Sequence, residues 1–288
     1  MTSWEDLVSE ADENGVIPEA VYEKHAARFP ICPPQDPEAK RRECEIWQSY
    51  LSSTRRRDKQ SLMYQELYRY EWYEGRKRKG FWGNIEAAIK QVDLGRSPKI
   101  TIFSAGSGRD LIKVALAAGI FESTADKKIA DTHKEIDPAH MRLARPDARI
   151  LLTEFDQNNL SLLRGTVDRL INARVLTEEM ITIRRWNFRQ TAPLVSDTQD
   201  LAVFSLTGNY SALHEQPLML REIARCIKPG GYLVASTMTD KLDFNKARSP
   251  LGKLRLILST PLALQIAWDF IPWQARWGKM AAKMFDHG

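Results

Sequence analysis

The chain has 288 residues, with 43% hydrophobic and 27% charged, enough for one large domain or two modest ones. That composition excludes a disordered, collagenous or low-complexity chain. Lys and Arg number 42 against 37 Asp and Glu, a net charge of +5, too small to demand a nucleic-acid partner.

Cys32, Cys44 and Cys226 form no CxxC pair and no Cys/His cluster. Neither a disulfide framework nor a metal is therefore expected, and the simplest compartment is reducing and cytoplasmic. The start, Met1 to Asp6, is acidic and lacks an apolar stretch, so no secretory leader is expected. No apolar run reaches the ~18 residues of a membrane-spanning helix.

Charge divides the first part of the chain. Residues 1–39 carry 2 basic and 9 acidic groups, whereas residues 40–80 carry 12 basic and 6 acidic. Cys32 to Pro37 holds three prolines, which remove donors and fix φ, so it reads as a linker. Residues 38–74 lack Gly and Pro and read as a helix. Arg55-Arg56-Arg57 reads as a solvated face of it. Aromatic residues crowd Tyr64 to Trp82, either as a stripe packed on a core or as a lid over a pocket. A short link, Gly83 to Pro98, leads onward.

From residue 99 the texture changes. Strands are expected at 99–103, 149–156, 180–184, 200–206 and 232–237, and helices at 111–118, 160–173 and 218–227. A Lys228-Pro229-Gly230-Gly231 turn precedes the last strand. Strands alternating with helices predict an α/β fold with a parallel sheet. Residues 121–148, with His133 and His140, read as a polar surface insertion. Two His seven apart with no Cys partner are loop residues rather than metal ligands.

Chemistry concentrates at the strand ends. Gly106-x-Gly108 leaves the first strand and opens a helix, where small residues let backbone amides approach a ligand. The third Gly of a dinucleotide fingerprint is missing, and Asp110 at the helix start disfavours a pyrophosphate there. The second strand ends in Glu154-Phe155-Asp156. An acid at that place takes ribose hydroxyls; Asp156 is the first choice and Glu154 the next. Gly108 and Asp156 stand 48 residues apart, where about 20 is usual. Asn187 and Phe188 follow the third strand, either to hold and stack an adenine or as a strand-end residue and a core ring. Ser205 to Tyr210 ends the fourth strand, and His214 lies one helical turn beyond Tyr210.

This ordered set resembles the class I S-adenosylmethionine-dependent methyltransferases. The resemblance rests on Ile102 to Gly108, Thr153 to Asn158, Asp200 to Ser205 and, most specifically, Glu222 to Val234 with its Ile-Lys-Pro-Gly-Gly core. It covers residues 98–238, about half the chain. It implies a Rossmann-like, mostly parallel sheet that binds S-adenosyl-L-methionine. Ser104, Ala105, Gly106 and Gly108 would then flank its methionine part, with Asp156 and Gln157 at the ribose. Asn187 and Phe188 would border the adenine, and Ser205, Leu206 and Thr207 would lie under the sulfonium. Ser104 stands where the family usually has an acid, a role left to Asp110 or a tyrosine.

In this reading residues 1–97 form an N-terminal helical cap or lid, residues 98–240 bind the cofactor and residues 241–288 form an apolar, helical C-terminal extension. The cap makes a small, partly apolar acceptor the first choice, with Tyr73, Trp82 and Tyr210 lining its site. Tyr210 and His214 are the acid–base candidates. The alternatives are an RNA or protein methyltransferase docking through residues 40–80, and a non-catalytic interaction protein that keeps the fold. Apolar residues from Leu262 to Met284 are flanked by Lys and Arg. They suit a packed or homodimer interface, or contact with a membrane surface, through residues 254–285.

Overall fold

The β-branched runs pair side by side as strands, and every neighbour in the main sheet is parallel. The computed structural model describes residues 2–32, 81–124, 138–205 and 215–236. Its strands are β1 (Lys99–Phe103), β2 (Phe121–Ser123), β3 (Met141–Leu143), β4 (Arg149–Glu154), β5 (Ile181–Arg185), β6 (Gln199–Ser205) and β7 (Ile227–Ser236). The five-stranded sheet runs β5-β4-β1-β6-β7, and its order reverses between β1 and β6. This is the expected Rossmann-like sheet, whose ligand crevice lies outside the carboxyl ends of the strands at that reversal. Strands covered on both faces read as nearly continuous apolar runs, as Ile150 to Leu152 and Leu201 to Phe204 do, all buried.

Helices α3 (Phe81–Lys90), α4 (Arg109–Ala117) and α5 (Gln157–Asn172) cover one face. Ile85, Ile89, Leu111, Val114, Leu163 and Val167 bury there against Ile100, Ile102, Ile150 and Leu152. Alternate residues of the same strands, Phe103, Leu151, Ala202 and Phe204, face the opposite core. There α6 (Gln216–Cys226) packs, and the β5-to-β6 crossover, residues 186–198, contains no helix. The N-terminal helices α1 (Trp4–Val8) and α2 (Glu19–His25) fill that place through Leu7, Ile17 and Tyr22. Backbone bridges pair Val16 with Leu194 and Pro30 with Gln190, and the Tyr22 hydroxyl donates to the Thr191 carbonyl at 2.7 Å.

Three expectations change. The first half of the Gly83–Pro98 link is helix, because Ile85 and Ile89, four apart, share a core-facing side that outweighs the cost of Gly83. The insertion at 121–148 is not wholly polar surface, since β2 and β3 pair antiparallel with Phe121 and Met141 buried. The Lys228-Pro229-Gly230-Gly231 turn lies inside β7, where the pairing shifts from Gln199↔Ile227 to Leu201↔Tyr232. A Cβ on Gly231 would stand 2.9 Å from the Gln199 carbonyl oxygen, so the close approach of the two backbones requires glycine there. The segment 33–80 and residues 237–288, with the C-terminal extension, lie outside the described residues.

Candidate functional site

The turn after β1 is built from left-handed residues: Ser104, Gly106 and Gly108 have φ of 57°, 56° and 92°. Ser104 is the costly one, because an L side chain in that region is strained. The strand beside it holds it there. The Ser104 N–H donates to Thr153 Oγ1 at 3.2 Å, and the Ala105 N–H donates to the Thr153 carbonyl at 2.8 Å. The two glycines differ. A Cβ on Gly106 would meet nothing within 4 Å, whereas on Gly108 it would stand 3.0 Å from Leu163 Cδ1. Gly106 therefore faces open space at the crevice, and Gly108 lets α4 pack on α5.

Such a turn gathers backbone N–H groups into a concavity for an anion. Here the anion is internal. Glu154, the last residue of β4, is 7% exposed. Its Oε2 accepts the Gly106 N–H at 2.9 Å, and its Oε1 accepts those of Phe155 and Asp156 at 2.8 and 2.9 Å. Burial raises the pKa of this carboxyl above the ordinary Glu value, while the three amide donors pull it down. Asp110, in the first turn of α4, adds a second buried carboxylate.

Asp156 stands outside this turn. It is exposed, and its Oδ1 accepts the Asn159 N–H at 2.9 Å, capping α5; Gln157 opens that helix. Phe155 between them is 48% exposed, with the Arg185 guanidinium 5.1 Å from its ring centre. Sequence reasoning passed over Phe155. An apolar residue directly after a strand-end acid was the available signal.

After β5 the chain folds back on itself. Asn187 Oδ1 accepts the Arg189 N–H at 3.0 Å, the Trp186 indole N–H donates to the Gln190 carbonyl at 2.9 Å, and Phe188 packs against the core of the N-terminal layer. The core-ring reading of Phe188 thus fits its packing. Cys32 lies near Glu215 and Arg189, and burial first, then Glu215, pushes its thiol up. A thiol held protonated is a poor nucleophile.

Ser205 ends β6 beside the reversal. Leu206, Thr207, Tyr210, His214 and Tyr73 lie outside the described residues, and Trp82 falls in the first turn of α3. Among the described residues, no group of three His, Cys, Asp or Glu is placed to hold a metal ion, and no helix is long and apolar enough to cross a membrane.

No family model matches the sequence, and no curated protein does. Solved structures do. An S-adenosylmethionine-dependent methyltransferase from Mesorhizobium loti is 16% identical, aligning 53% of this chain with 51% of that one at a TM-score of 0.33. An arsenic(III) S-adenosylmethionine methyltransferase from Chlamydomonas reinhardtii is 16% identical over 59% of this chain and 53% of that one, at 0.37. A methyltransferase from Aquifex aeolicus is 15% identical over 64% and 78%, at 0.37. The chain spans about half the length of the first two. Similarity at this level carries no argument about chemistry, which rests on the geometry of the site.

Proposed function

We propose that the crevice at the β1/β6 reversal binds S-adenosyl-L-methionine and that the protein transfers its methyl group to a small, partly apolar acceptor. The observation that carries this reading is Glu154. Its carboxylate already takes the Gly106 N–H of the turn, a donor that a phosphate would need, and Asp110 adds negative charge at the helix start. A dinucleotide is thereby disfavoured. A nucleoside without phosphate and with a cationic end suits the same place.

The residues present fit that ligand. An ionised carboxylate offers about four acceptor sites, and Glu154 uses three on backbone amides, leaving capacity for a ribose hydroxyl. Asp156 lies two residues on, at the rim. Gly106 leaves its side open, Phe155 presents an exposed ring to a base, and Asp110 supplies a carboxylate near the turn, where Ser104 has none. When bound, the sulfonium supplies an already activated methyl group, so the protein's part is alignment and the exclusion of water. Tyr210 and His214 are the groups to take a proton from the acceptor, if it must lose one. RNA or protein acceptors, docked through residues 40–80, are the second choice.

Titration calorimetry tests the cofactor directly. S-adenosylmethionine and S-adenosylhomocysteine should bind, and NAD should not. Glu154→Ala should weaken binding at least tenfold, since charged hydrogen bonds contribute about 1.5–3 kcal/mol each. If Asp156→Ala has the larger effect, Asp156 is the ribose residue. If neither ligand binds the parent, the reading is wrong.

A further inference from the structure

Lys99 and Arg149 open β1 and β4 and stand side by side in the register of the two strands. That places them at the amino edge of the sheet, the end opposite the crevice. At even spacing from Phe103 and Leu151, both lie on the face that the N-terminal layer covers, because alternate strand residues share a face. A cleft of about 260 Å³, partly open to solvent, lies there. Asn14, Thr182 and Gln199 line it together with the two cations, and no acidic residue does.

Like charges side by side across two strands repel, and a charge drawn partly out of water needs a partner. Both side chains are half-buried, yet among the described residues neither reaches a carboxylate. Lys99 Nζ donates to the Glu13 carbonyl at 2.7 Å, and Arg149 Nη1 to the Ala148 carbonyl at 3.1 Å. Asp200, the acid beside Lys99, is engaged otherwise: its Oδ2 accepts the Lys99 backbone N–H at 2.7 Å, and its Oδ1 pairs with Lys228. Other cations on this face do hold acids, since Arg189 Nε lies 3.0 Å from Glu215 Oε1 and Arg225 Nη2 lies 2.6 Å from Glu222 Oε1. Lys99 and Arg149 are thus a local excess of positive charge beside a cleft, whose low-dielectric walls concentrate their field.

We propose that this cleft binds a small inorganic oxyanion of the phosphate or sulfate class, which neutralises Lys99 and Arg149 and ties the N-terminal layer to the sheet. Among the described residues Arg149 Nε and Nη2 donate to nothing, which leaves a planar fork of the kind that suits an oxyanion. The wall of the cleft is already fixed. Gln199, 2% exposed, accepts the Thr101 hydroxyl at 2.9 Å and donates to the Asn14 carbonyl at 3.4 Å. This site is separate from the crevice and does not rest on the cofactor reading.

Inorganic phosphate is the probe, titrated at fixed ionic strength against chloride and followed by phosphorus NMR line width. Phosphate raises the melting temperature of most proteins through exclusion from their surface, so the readout is saturable binding. The parent should saturate at millimolar phosphate. Lys99→Gln/Arg149→Gln should bind at least tenfold more weakly, and Arg142→Gln, which removes a cation from β3, should bind as the parent does. Arg149→Gln alone should fall between and serves if the double variant does not fold. A parent that does not saturate overturns the proposal. So does a double variant that binds like the parent, because the anion then sits elsewhere. Equal weakening by Arg142→Gln overturns it too, since the effect then belongs to net charge.

Discussion

The two faces of the sheet are covered by different means. One carries α3, α4 and α5, with α3 against the distant β7, and buries almost only aliphatic side chains. Among the described residues, the other carries α6 and the short α1 and α2, with residues 2–32 laid over a crossover that has no helix. On that face the backbone donors of the crossover need partners from elsewhere, since buried amides are seldom left unpaired. Glu222 takes the Ala192 N–H, and the Arg225 guanidinium sits 5.5 Å from the Trp4 ring centre. A face can thus be closed by distant, irregular chain, provided that polar clips satisfy what a helix would satisfy internally.

The sharpest test of the contrast is Glu222→Ala. It leaves Arg225 and the Ala192 amide without their acceptor in a buried setting, so a loss of about 3–5 kcal/mol is expected, read as a lowered urea midpoint at unchanged slope. Next is a matched pair of cavities. Leu163→Ala on the helical face and Ile17→Ala in the N-terminal layer should each cost about 2–5 kcal/mol, because both side chains are fully buried. A loss well under that at Ile17 would show the N-terminal layer to be accessory, and the two faces unequal in stability as well as in construction.

Smaller effects separate the two glycines of the turn. Gly108→Ala meets both a positive φ and the Leu163 methyl, and should cost about 1–3 kcal/mol. Gly106→Ala meets only the positive φ, for about 1 kcal/mol, and should weaken S-adenosylhomocysteine binding more than its stability loss suggests. The smallest effect is in pH. Burial raises the Glu154 carboxyl above its unfolded value, so the folded chain holds that proton to higher pH than the unfolded chain. Stability from this group is present below the unfolded pKa and is lost as pH rises through the folded one. Glu154→Gln should remove that decline, seen as a parent-minus-variant stability difference that falls as pH rises above the ordinary Glu range.

Much of the helical face was legible in the residues. Ile100 and Ile102, Ile150 to Leu152, and the helix that starts after Gly108 carry periodicities set by the local backbone. Helix α3 was missed because Gly83 and the aromatic run before it masked two core positions four apart. The hairpin of β2 and β3 was missed because three-residue strands carry too little pattern among polar neighbours.

By itself the sequence determined the alternation of strands and helices, the glycine turn after β1, and the presence of two acids at the end of β4. Those are local facts of side-chain type and spacing. Only the tertiary structure decided that residues 2–32 cover the bare face, because nothing in Leu7, Ile17 or Tyr22 names a partner as distant as Thr191, 169 residues from Tyr22; that choice belongs to the missing crossover helix. It also decided which acid enters the turn. Glu154 and Asp156 are two residues apart and chemically alike, but the strand ends between them. The backbone then turns into α5, carrying Asp156 to the helix cap and leaving Glu154 on the Gly106 amide of the turn.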